Sequence, residues 1–207
     1  WKDSIMADLL DKSKPPRAGE ELDLAKLETY LKDALPGISG ALSVEQFPSG
    51  YSNLTYLLRV GDRDLVLRRP PFGSKVKSAH DMGREFRVLQ ALHPIYAPAP
   101  KPLLIGDDPE VMGAQFYVME RIQGVILRGK KPGEWSATPE LTRAVCESLV
   151  DNLAILHGLD YEAAGLGARH GASQRLAPQS KRDGRWTAMP RPSWPYVAAG
   201  GLQENPT

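Results

Sequence analysis

The stretch LTYLLRVGDRDLVLRR, residues 54–69, restricts the fold of this chain more than any other. Two β-rich runs, Leu54 to Val60 and Asp64 to Arg69, flank Gly61-Asp62-Arg63. Strand, Gly-containing turn, strand is the signature of an antiparallel hairpin. Pro70-Pro71-Phe72-Gly73 ends the second strand.

The flanking sequence predicts helices and further strands. Leu24, Leu27, Leu31 and Leu35 repeat at helical spacing until Pro36-Gly37 stops them. A polar, Pro-containing lead-in precedes this helix and is expected to be mobile. A second helix is expected over Ala79 to Leu92, capped by Ser78 with Asp81 completing a capping box. Met82, Phe86 and Leu89 form its apolar stripe, and Glu85 shares that face. A buried carboxylate needs a cationic or hydrogen-bonding partner; otherwise Glu85 sits at the edge of the stripe in water. Two short strands follow, Leu103–Ile105 and Gln115–Met119, joined by a turn-rich Gly-Asp-Asp-Pro link. Thr138-Pro139-Glu140 then opens a long helix. Leu141, Val145, Leu149, Leu153 and Leu156 mark its expected core face, and Gly158 stands where a helix stops.

Composition sets few limits. The 207 residues carry a formal net charge of +1, which names no partner. The length allows one sizeable core, or one domain and part of another. The lone cysteine, Cys146, permits no internal disulfide and reads as a small buried residue. No apolar run approaches the ~18 residues that span a bilayer, so no membrane contact is expected and the cytoplasm is the default compartment. The first residue is Trp1, and Met6 reads as a natural start; residues 1–5 are then upstream sequence, unless the chain is a fragment of a longer one.

Five ordered blocks carry a resemblance: QFPSGYSNLTYLLRVGDRDLVLRRPP, SAHDMGREFRVLQAL, PAPKPLLIGDD, AQFYVMERIQG and LVDNLAILHGLDYEAAGLG. Over about residues 20–167 the chain resembles the aminoglycoside-phosphotransferase-like (APH) phosphotransferases. Its nearest likeness is to the subgroup also found as the kinase-like domain fused to acyl-CoA dehydrogenases. The resemblance implies an α+β fold: a protein-kinase-like N-lobe, with an antiparallel sheet plus a helix, and the first helix of an α-rich C-lobe. It also implies ATP with Mg²⁺ as cofactors, and transfer of the γ-phosphoryl to a small hydroxylated substrate. Association with enzymes of acyl-CoA metabolism and no nucleic-acid partner complete the expectation.

The resemblance also assigns residues. Gly50, Tyr51, Ser52 and Asn53 match the loop that covers the phosphates; Gly50 admits close backbone approach, and Ser52 and Asn53 can hydrogen-bond oxygens. Arg68 stands where the phosphate-gripping strand lysine would be, and Glu85 matches its helix partner. Arg offers a planar fork, so the role survives with altered geometry. Arg69 would point to the opposite face, into solvent. Met119, Glu120 and Ile122 match the hinge that meets adenine, through main-chain atoms of Glu120 and Ile122. Phe47 and Leu57 are candidates for apolar contact with the base, with core packing the stronger reading. A structural salt bridge without nucleotide is the plain alternative for Arg68 and Glu85.

Phosphoryl transfer in such a family calls for a catalytic-loop Asp, an Asn five residues later on Mg²⁺, and a further metal-binding Asp. The asparagines are Asn53, Asn152 and Asn205, preceded at minus five by Pro48, Glu147 and Gly200. No Asp-x-x-x-x-Asn exists, so no catalytic or metal residue is assigned. His157-Gly158-Leu159-Asp160 imitates a catalytic loop, but Gly165 stands where the Asn belongs. Residues 168–207 contain only Leu176, Val197 and Leu202 as aliphatic Leu, Ile or Val residues and show no period. They are expected to be an aberrant, disordered tail, produced by a truncation or frameshift, the alternative being a real but divergent tail. The expected organisation is a flexible lead-in (1–20), N-lobe (21–123), linker with the start of a C-lobe (124–167) and tail (168–207). The alternative to a phosphotransferase is a non-catalytic nucleotide-binding fragment or interaction module.

Overall fold

The computed structural model describes residues 12–48, 52–73, 81–124 and 138–167. Its centre is a five-stranded antiparallel sheet in the order β1-β2-β3-β5-β4. The strands are β1 (Leu42–Gln46), β2 (Leu54–Val60), β3 (Arg63–Arg69), β4 (Pro102–Gly106) and β5 (Phe116–Glu120). The helices are α1 (Leu24–Ala34), α2 (Met82–Leu92), α3 (Pro109–Met112) and α4 (Pro139–His157). This is the expected α+β class.

The hairpin forms as predicted, but its loop is one residue tighter. Arg63 pairs with Val60, leaving Gly61 and Asp62 at the turn. Gly61 has φ +61°, and a Cβ there would sit 2.6 Å from the Ser39 carbonyl oxygen. Glycine is required at that position on both counts.

Side chains alternate across the sheet, and each face meets a different helix. On one face Tyr56, Leu58, Leu65, Leu67, Phe116 and Val118 are buried together with Leu27 and Leu31 of α1. On the other face Tyr117 packs with Met82 and Phe86 of α2. Burial at about 25 cal/mol per Å² of apolar surface makes the first cluster the main source of stability. At the rim of that core Gly106 lies flat against the Phe116 ring: an added Cβ would come within 2.5 Å of it.

Several expectations are corrected. β1 is a strand that the sequence reading did not assign. The lead-in expected to be mobile is tied down in its second half. Lys14 and Gln46 exchange backbone hydrogen bonds of 2.9 and 2.7 Å, and the Gln46 side chain donates to Glu20 at 2.6 Å. Helix α2 begins at Met82, with Asp81 itself as the cap accepting from the Arg84 N–H at 2.7 Å. Ser78 lies outside the described residues. The Gly-Asp-Asp-Pro link contains α3, capped by Asp108. Arg69 does point away from Arg68, but into the core face rather than water. It is 3% exposed, donates Nε to the Pro70 carbonyl at 3.0 Å, and lies 3.6 Å over the Phe72 ring.

Helix α4 is capped by Thr138 as predicted, its hydroxyl oxygen accepting from the Leu141 N–H at 3.2 Å. Its expected core face is not covered: Leu141, Val145, Leu149 and Leu153 are all exposed among the described residues, and so is Cys146. Tyr96 reaches it, donating to Asn152 at 3.3 Å. Gly158 stays right-handed, with φ −82°, so it ends the helix without the left-handed turn expected of a stop glycine. Asp160 accepts from the N–H groups of Glu162 and Ala163 at 3.1 and 2.9 Å. Its carboxylate closes a turn. The N-terminal residues 1–11 and the tail 168–207 lie outside the described residues.

Candidate functional site

Strand alternation brings the site together. Arg68 of β3 lies between Thr55 of β2 and Tyr117 of β5. One step of two along β5 puts Met119 beside Tyr117 on the same face. Helix α2 crosses that face and lowers Glu85 toward it. The Arg68 NH1 lies 3.4 Å from Glu85 Oε2, so the predicted strand cation and helix acid do meet. About a third of each side chain remains exposed, so the contact is a half-buried pair.

Glu85 is held by more than Arg68. Asn53 Nδ2 donates to Oε1 at 2.9 Å, and the Tyr117 hydroxyl donates to Oε2 at 2.9 Å. Both are shorter than the approach of Arg68. Tyr117 is buried, and burial pushes its phenol above the usual range; the Glu85 charge acts in the same direction and Arg68 opposes it. A neutral, donating hydroxyl is therefore the state that faces the carboxylate.

Arg68 has unused capacity. Its Nε is buried and finds no hydrogen-bond partner among the described residues. An orphaned buried donor of this kind costs roughly 1–3 kcal/mol. The guanidinium borders a depression of about 300 Å³, also lined by Arg84, Glu85, Leu89, Tyr117 and Met119. Cationic donors beside an apolar wall suit a ligand with both an anionic and a flat apolar part. The Arg68 fork fits phosphate oxygens.

The remaining candidates divide. Asn53 is buried and its amide is directed at Glu85 rather than out of the loop. Ser52 is exposed, two residues before β2. Gly50 and Tyr51 lie outside the described residues. Met119 lines the depression. The Glu120 N–H donates to the Lys101 carbonyl at 2.9 Å, and Ile122 is exposed. Leu57 is fully buried and belongs to the interior, whereas Phe47 is half-buried.

Two features escaped sequence reasoning. One is the pair of neutral donors on Glu85. The other is a line of charges: Glu45 to Arg59 at 2.9 Å, Arg59 to Asp64 at 3.7 Å, and Asp64 to Arg121. The guanidinium of Arg121 lies 6.0 Å from the centre of the Phe47 ring. Arg121 thereby fastens the end of β5, and with it the candidate hinge, to the start of β3. The alternation rule could have put Tyr117 on the face of Arg68; the charge line depends on strand order.

Mg²⁺ does not fit the described part of the chain. No three His, Cys, Asp or Glu side chains converge among the described residues. Nor is any described helix long and apolar enough to cross a membrane.

Comparison with known proteins gives concordant matches. The phosphotransferase enzyme family (APH) matches residues 43–198, and so continues beyond Gly167, where the five sequence blocks end. Acyl-CoA dehydrogenase family member 11 of Rattus norvegicus is 42% identical over 151 residues, which is 70% of this chain and 19% of the relative. Family member 10 of Mus musculus is 36% identical over 155 residues, 74% of this chain and 14% of the relative. A crystal structure from Ralstonia eutropha, assigned as an aminoglycoside phosphotransferase, aligns with a TM-score of 0.58 and 32% identity, over 72% of this chain and 42% of the other. This chain thus spans less than a fifth of those curated relatives and less than half of that solved chain.

Proposed function

Because this chain belongs to the phosphotransferase enzyme family and has its kinase-like α+β fold, we propose that it forms the nucleotide-holding part of an ATP-dependent small-molecule phosphotransferase. Arg68 would take phosphate oxygens of ATP, with Glu85 as its acidic neighbour. The loop of Gly50, Tyr51, Ser52 and Asn53 would cover the phosphates, and Met119, Glu120 and Ile122 would border the base. One observation carries the reading: Arg68 meets Glu85 at 3.4 Å beside an open depression, with Nε lacking an acceptor among the described residues.

The acceptor proposed is a hydroxyl of a small molecule. The names of the relatives favour a hydroxy acid or hydroxyacyl thioester, and association with acyl-CoA-metabolising enzymes. The compartment proposed is the cytoplasm, where ATP is abundant and an exposed Cys146 stays reduced. Bound Mg²⁺ would neutralise phosphate charge, but no step is assigned to it on these residues.

A second reading is a non-catalytic nucleotide-binding fragment or interaction module. It is favoured by the lack of any Asp-x-x-x-x-Asn in these 207 residues. Calorimetric titration with ATP and Mg²⁺, followed by a phosphoryl-transfer assay on a panel of hydroxy acids, separates the two. ATP binding with transfer supports the enzyme; binding without transfer supports the fragment. Absence of binding, with no difference between wild type and Arg68→Ala, would remove the enzyme and the nucleotide-binding fragment and leave the interaction module.

A further inference from the structure

The Glu85 carboxylate has two holders besides Arg68, and they differ from it in kind. Oε1 accepts from Asn53 and Oε2 from Tyr117, each at 2.9 Å, whereas Arg68 stands at 3.4 Å from the same Oε2. Tyr117 and Arg68 are directly paired across β5 and β3, so their side chains leave the sheet side by side. They share one oxygen. The neutral hydroxyl has the shorter contact.

That outcome has an electrostatic consequence. A free carboxylate beside a guanidinium closes to a bidentate pair, which occupies two of the five guanidinium N–H donors. Here one oxygen is turned to Asn53 and the other is shared with Tyr117. The carboxylate keeps its charge near Arg68 while each of its oxygens already accepts from a neutral donor. Arg68 is oriented without being saturated.

We propose that Tyr117 and Asn53 are positioning residues for nucleotide phosphates: by holding Glu85 they keep the Arg68 fork open for phosphate oxygens. This rests on the nucleotide-binding reading and adds to it a role that Tyr117 and Asn53 exert through Glu85. Removing either donor lets Glu85 turn onto Arg68 and compete with phosphate. The loss therefore falls on the phosphate-bearing part of a ligand, not on its base.

The test is calorimetric titration of the full 207-residue chain with ATP and, separately, with adenosine, which lacks phosphates. Wild type, Tyr117→Phe and Asn53→Ala are compared, with melting curves recorded for each. The expected result is a loss of about five- to tenfold in ATP affinity for each variant, the size of one hydrogen bond, with adenosine affinity unchanged. Equal losses for ATP and adenosine would mean a merely structural role and overturn the proposal. Unchanged ATP affinity in a folded variant would also overturn it. Each variant is also measured in a Glu85→Ala background, where a loss that acts through Glu85 disappears and one from direct phosphate contact persists, so the folded one suffices if the other melts below assay temperature. Wild type that binds neither ligand would sink the nucleotide reading itself, and this proposal with it.

Discussion

Tyr56 and Glu20, which flank α1 and the first strand, are joined by a hydrogen bond from the tyrosine hydroxyl to the backbone carbonyl at 2.8 Å. Tyr56 is fully buried in the centre of the sheet's α1 face. The bond fastens the N-terminal segment to the core. Tyr56→Phe leaves the ring in place and strips the carbonyl of its donor. The expected loss is about 1 kcal/mol in denaturant unfolding. Hydrogen exchange should rise over residues 14–20 before it rises in the sheet.

The same hydroxyl predicts an alkaline limit. Burial pushes the Tyr56 phenol up to about 12, and Tyr117 moves in the same direction. An unfolded tyrosine ionises near pH 10. Between those values the unfolded chain has released protons that the folded chain still holds, so stability falls as pH rises. Unfolding free energy should be insensitive to these groups below about pH 10 and decline from there towards pH 12. Urea titrations at stepped pH would read this, and Tyr56→Phe should shallow the decline.

Gly106 is a packing requirement. A Cβ at this position would come within 2.5 Å of the buried Phe116 ring and 3.0 Å of the Tyr30 hydroxyl. Gly106→Ala should therefore cost about 1–3 kcal/mol through overpacking. A thermal melt checks it, and Gly124→Ala, where a Cβ meets nothing within 4 Å, is the matched control.

Two leucines at helical core spacing should behave oppositely. Leu27 of α1 is 0% exposed and Leu149 of α4 is 60% exposed. Leu27→Ala should cost about 2–5 kcal/mol. Leu149→Ala should stay within about 0.5 kcal/mol. Chemical denaturation of the two variants is sufficient.

The sequence rules succeeded where one local pattern had one structural outcome. Leu54 to Arg69 is two β-rich runs around a Gly-containing turn, which is the pattern of a hairpin. Thr138-Pro139-Glu140 marks a helix start that needs no tertiary partner. Glu85 was legible because helical period defines a face, and Arg68 because its strand block resembles that of the family. The rules failed where the outcome depended on what lies opposite. LSVEQ in β1 is half polar because its strand borders the sheet, and it resembles a loop. Arg69 was correctly sent to the other face, but that face is roofed by α1. The apolar stripe of α4 was read correctly as a pattern and incorrectly as a buried one. Within the site, the grip of Tyr117 and Asn53 on Glu85 depends on strand register and on where α2 crosses.

Arg68 occupies the middle strand of the five, with neighbours paired on both sides. Fraying at either border of the sheet leaves its amide hydrogen-bonded, so only whole-domain opening releases it. The residue that would meet the nucleotide's charge is thus also a gauge of global stability. A ligand that binds there acts at the last part of the lobe to come apart.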